Sequence, residues 1–160
     1  MLVALLAIQF FHPTKNESGD LTNDISTVYT VPADVQEILK TSCNDCHSNK
    51  TIYPWYTNIQ PVDWFMADHV NEGKEELNFN EFASYRIYRQ FKKMDEIMKE
   101  VKENEMPLTS YTLIHGNAKL NETQKQTILN WAQGISDEMK SKYPADSLVN
   151  PKKRVKKDDD

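Results

Sequence analysis

Cys43-Asn44-Asp45-Cys46-His47 constrains this chain more than any other run of residues. Two thiols one helical turn apart can each add to a vinyl group of the same porphyrin, and a histidine beside the second thiol can reach the iron from one face. Cys-x-x-Cys-His is the spacing at which a polypeptide takes haem covalently. The reading names Cys43 and Cys46 as thioether donors to one haem c and His47 as the proximal iron ligand. A fold organised by this segment has to close around a flat, largely apolar plate.

Cys-x-x-Cys also serves zinc sites and dithiol redox enzymes. The chain has only these two cysteines, whereas a structural zinc site wants four ligands in two close pairs. The remaining histidines, His12, His69 and His115, form no His-x3–5-His pair. A thioredoxin-like dithiol belongs in a βαβ setting, and no runs of strand pattern appear here. A Cys43–Cys46 disulfide closes too short a loop to constrain much.

The length of 160 residues suits about one domain. Apolar residues make up 39%, low for a compact fold, but much of the polar excess lies in the last residues, Pro151-Lys-Lys-Arg-Val-Lys-Lys-Asp-Asp-Asp160. The organisation expected is an apolar segment over 1–11, a linker over 12–31, a haem-binding domain over 32–140 and a disordered charged tail over 141–160. The basic run in that tail has the look of a nuclear-import or anion-binding patch, and three following aspartates make a solvated tail the reading taken. The net charge of −5 argues against nucleic acid, which wants a basic face. An acidic surface suits a redox protein or a membrane-associated redox enzyme as partner.

Met1-Leu-Val-Ala-Leu-Leu-Ala-Ile-Gln-Phe-Phe11 is too short to span a bilayer comfortably and carries no leading Lys or Arg. It reads as the apolar part of a signal peptide or as an N-terminal membrane anchor. Either reading puts the protein in the periplasm or another extracytoplasmic space, tethered to the inner membrane if the segment is retained. Export also suits covalent haem attachment, which in bacteria takes place outside the cytoplasm.

From residue 32 to 140 the pattern is helical. Pro32 opens a helix on which Val35, Ile38, Leu39, Ser42, Cys43 and Cys46 recur at three- and four-residue steps, so both cysteines are expected on its apolar face. The aromatics of Tyr53-Pro54-Trp55-Tyr56 suit either a haem edge or ordinary loop packing. Pro61 opens a second helix ending near Gly73, with an expected inward stripe of Val62, Phe65, Met66, His69 and Val70. Asn80 is expected to cap a third helix running to Asn104, with Met94 and Met98 as core packing. Asn121-x-x-Gln124 resembles a capping box and opens a last helix facing inward through Ile128, Trp131, Ala132, Ile135 and Met139.

The irregular stretch from Glu105 to Gly116 is where a sixth iron ligand is expected. Pro107 pushes Met106 out of helical conformation and projects its thioether from a loop, which makes Met106 the candidate distal ligand. A thioether opposite imidazole raises the reduction potential, whereas a second histidine lowers it. His115 is the competing ligand. His69, on the second helix, is read first as a core histidine and only then as a ligand.

Cys43-x-x-Cys46-His47, Met106-Pro107 and a closing helix with Trp131 resemble a small cytochrome c. The run from Cys43 to Val62, then Asn71-Glu-Gly-Lys74 and Leu77-Asn-Phe79, is similar to the bacterial haem-binding domain family. So are Met106-Pro-Leu-x-x-Tyr111, His115, Ala118-x-Leu120, Trp131 and the Gln9-Phe-x-x-Pro13 segment. The resemblance runs from about residue 10 to 140, and it implies an exported, often membrane-tethered haem-binding domain.

The expected fold is all-α and cytochrome c-like, four helices around one covalently attached haem with a helical insertion before the methionine loop. Two functional classes follow. One is a mono-haem electron carrier ligated by His47 and Met106, with no catalytic residues of its own. The other is a haem-based sensor or small peroxidase-like enzyme with a displaceable sixth ligand, for which spacing identifies no distal acid–base pair. A haem-free helical interaction module with buried thiols is a third reading.

Overall fold

A computed structural model describes residues 2–151 of the chain. It is all-helical among these residues, with seven α-helices: α1 (Leu2–Ile8), α2 (Ala33–Ser42), α3 (Asn44–His47), α4 (Val62–Glu76), α5 (Ile87–Glu103), α6 (Thr109–Ile114) and α7 (Glu122–Lys142). Short 3-10 turns punctuate the connections, the longest being Phe79–Ser84.

The core forms where α5 and α7 pack along each other and α2 crosses α7. Met94 from α5 and Ile128, Ala132, Ile135 and Met139 from α7 are buried together with Val35, Ile38 and Leu39 of α2. Trp131 sits at the crossing and ties it down, its indole N–H donating to the Thr30 carbonyl at 3.1 Å. The expected inward face of α7 is the observed one. Its start is a complete capping box: the Asn121 side chain accepts from Gln124 N–H, and the Gln124 side chain accepts from Asn121 N–H.

Other expectations are corrected. The cysteines do not continue α2, because Cys43 leaves helical geometry (φ −128°, ψ −42°) and α3 starts on a new axis. The inward stripe of α4 holds only in part. Val70 is buried as expected, but Val62 and Phe65 are exposed and Asp63 is buried instead. Asp63 earns its burial through polar partners, with His12 Nδ1 at 2.6 Å and Gln60 Nε2 at 3.3 Å. Helix α4 runs past Gly73 to Glu76.

Asn80 does not cap α5. Its side chain is taken up elsewhere, accepting from Asn49 N–H and donating to Asp24, so Asn78 caps the 3-10 turn and α5 begins only at Ile87.

Residues 12–31, expected as a linker, belong to the body. Ile25 and Tyr29 are core residues, and Asn16 is bonded to Tyr53, Ser48, Thr51 and Lys74. The body also continues past residue 140: α7 reaches Lys142, and Tyr143 and Leu148 pack on the core. The rest of the expected tail, 152–160, lies outside the described residues.

Candidate functional site

Helix α3 is a single turn, and α4 holds it in place. A Cβ built on Gly73 would stand 2.7 Å from the Cys46 carbonyl oxygen and 3.0 Å from Cys46 Cβ, so the two backbones meet where only glycine fits. This close approach brings the His47 ring against the end of α4. His47 Nδ1 lies 2.9 Å from both the Gly73 and the Leu77 carbonyl oxygens. Carbonyls only accept, so Nδ1 carries the proton and Nε2 keeps its lone pair. A metal-ligating imidazole is oriented by the same kind of bond. Burial holds the ring below its usual pKa and keeps it neutral.

Both thiols are free. Burial pushes Cys43 up to about 12 and Cys46 up to about 11, so each is a protonated thiol at neutral pH.

Cys43, Cys46 and His47 border a cavity of about 310 Å³ whose other walls include Met106, Pro107, Tyr111 and His69. A second lobe of about 460 Å³ shares Cys43, His47, Glu76 and Met106 with the first. Its floor is apolar, formed by Leu39, Leu77, Phe79, Ile97 and Ile128. Its rim is charged: Lys93 is buried and reaches Glu96 at 2.6 Å and Glu76 at 3.0 Å. Burial works against the Lys93 charge, but these carboxylates outweigh it and raise its pKa.

Met106 reaches the cavity through the end of α5. Asn104 takes the left-handed conformation (φ 62°), and the Glu105 and Met106 N–H groups both donate to the Glu100 carbonyl, at 3.0 and 3.2 Å. The chain doubles back, and Met106 borders both lobes.

Of the competing histidines, His115 lies outside both cavity linings, with Nε2 2.8 Å from the Tyr56 hydroxyl and its ring stacked on Tyr111. His69 is not in the core. It stands at the edge of the smaller lobe, its Nδ1 donating to Phe65 O at 2.8 Å. Tyr53, Trp55 and Tyr56 line neither lobe. Sequence reading missed the roles of Gly73, Asp45 and Tyr111. All three stood in the runs that resemble the family, which marked them without saying what they touch.

The donors present fit a haem. A paired-thiol segment, an imidazole with its outer nitrogen anchored, a thioether and an apolar floor match the plate and the iron of that group. Fold and site thus define an all-α haem-binding domain. A family model described as the haem-binding domain matches residues 3–134, and the chain belongs to that family. No curated protein and no solved structure matches the chain.

Proposed function

We propose that this protein is an extracytoplasmic, cytochrome c-like mono-haem carrier of single electrons. One observation carries the proposal: Cys43, Cys46, His47 and Met106 border one cavity, with His47 Nδ1 already spent on α4 carbonyls. Cys43 and Cys46 would hold the haem through two thioether bonds, each thiol adding its S–H across one vinyl C=C so that no atom is left over. His47 Nε2 and the Met106 thioether would hold the iron, which when bound would supply the ferric/ferrous couple. Leu39, Leu77 and Phe79 would give a bound porphyrin an apolar wall.

The partner proposed is a redox protein or a membrane-associated redox enzyme. Residues 1–11 are proposed as a tether to the membrane surface. In support, α1 is apolar on every side and buries none of its residues, and no helix among those described is long and apolar enough to cross a membrane. The chain beyond α1 is clamped to the body, since the Gln9 side chain pairs with the backbone N–H and C=O of Gln60 and the Trp64 indole donates to Phe11 O.

His69 at the cavity edge favours one alternative, a sensor or peroxidase-like enzyme whose sixth ligand is displaced. Replacing Met106 with alanine decides between them. Loss of the low-spin ferric spectrum supports the carrier, and an unchanged spectrum removes Met106 as the ligand.

A further inference from the structure

We infer that Tyr111 is the positioning residue for the sixth iron ligand: its hydroxyl latches the Met106 segment to the Cys-x-x-Cys-His segment through Asp45. The inference rests on the reading of Met106 as that ligand. The hydroxyl donates to Asp45 Oδ2 at 2.7 Å. Asp45 is the residue between the two cysteines that is best fixed. Its other carboxylate oxygen accepts from Ile52 N–H at 3.1 Å, and its carbonyl accepts from the Thr51 hydroxyl at 2.6 Å.

Among the described residues, the segment between Met106 and the His115–Tyr56 contact has no side-chain hydrogen bond to the body other than that of Tyr111. No residue of α6 is buried, and Leu113 and Ile114 on it are exposed. Upstream, Met106 is secured by the α5 end through Glu100; downstream, the first side-chain tie to the haem-attachment segment is Tyr111. Tyr111 borders the smaller lobe, and its ring is stacked on His115 at 4.4 Å between centroids, which sets the angle at which the hydroxyl reaches across. The bond therefore closes the cleft from one wall to the other. Without it the chain from Met106 is untied until the His115–Tyr56 contact, and an outside ligand competes for the iron on better terms.

The test is an imidazole titration of the ferric holoprotein, with the reduction potential measured on the same samples. Tyr111→Phe removes the donor and keeps the stacked ring. It should bind imidazole about tenfold more tightly, as expected for losing one hydrogen bond to a charged acceptor, and its potential should fall as the thioether is less often bound. Asp45→Ala should tighten imidazole binding clearly less when added to Tyr111→Phe than when made alone, because the shared bond is then already gone and only the Ile52 contact remains to be lost. If the Tyr111→Phe holoprotein does not accumulate, Asp45→Asn decides, with a smaller shift in the same direction expected from its weaker acceptor.

Unchanged imidazole affinity and potential in Tyr111→Phe, in a protein whose spectrum does respond to Met106→Ala, would overturn the latch and leave the ligand standing. An unchanged spectrum in Met106→Ala overturns both.

Discussion

Gly73 has no side chain because Cys46 occupies the place where one would stand. The 2.7 Å approach to a backbone oxygen leaves nothing flexible to give way, so Gly73→Ala should push α4 off α3 and displace the two carbonyls that hold His47 Nδ1. The expected outcome is a destabilisation of about 1–3 kcal/mol in urea unfolding and less haem per polypeptide at matched expression. Wild-type stability and haem content in that variant would show that the contact is not limiting. The thiols and His47 were singled out by their spacing, and the structure places them beside one cavity. The Tyr111–Asp45 bond was not legible, because a hydrogen bond between residues 66 positions apart leaves no mark on the local pattern, although both residues stood in the runs that resemble the family.

The start and the inward face of helix α7 were readable, and the reason is that local chemistry and burial agree on them: Asn121 and Gln124 fix its start, and its apolar period meets α5. Asn121→Ala should cost about 1 kcal/mol in urea unfolding. Helix α4 misled for the opposite reason. Its Trp64 and Phe65 are apolar yet exposed, while polar Asp63 is buried with His12, so the apolar period pointed at the wrong face.

The Lys93 cluster between α4 and α5 gives a pH signature at this scale. Burial works to raise the Glu96 pKa, but Lys92 and Lys93 outweigh it and hold the group below its ordinary 4.5. A depressed folded-state pKa means the stabilisation is present above 4.5 and is lost as pH falls through the folded value. Glu96→Gln should therefore be less stable than wild type at neutral pH, and the difference in urea midpoint should shrink on acidification below about 4.5. A difference independent of pH would mean that the carboxylate charge is not what Lys93 needs.

For the whole molecule, the two lobes sit between α2, α4, α5 and the Met106 segment, so the haem face replaces core that the side chains do not fill. Haem bound only to the folded state stabilises it by mass action, and the covalent attachment proposed would make that gain permanent. A Cys43→Ala, Cys46→Ala variant free of haem should show lower helical ellipticity and a broader, lower thermal transition than the holoprotein. Equal helix content and equally cooperative melting would contradict this. The all-α class was legible from periodicity, whereas the packing of residues 12–31 onto the body was not. That packing is made by scattered polar side chains such as Asn16 and Asp24 and by apolar residues such as Ile25 and Tyr29, too few to form a period.

The central claim is covalent haem at Cys43 and Cys46, and intact-protein mass spectrometry under denaturing conditions tests it most directly. The material should come from export in a host with haem-attachment machinery, alongside a control cytochrome. A polypeptide heavier by one haem is the result expected. The bare polypeptide mass, with the control matured in the same cells, would contradict the account and leave Cys43 and Cys46 as free thiols beside the site.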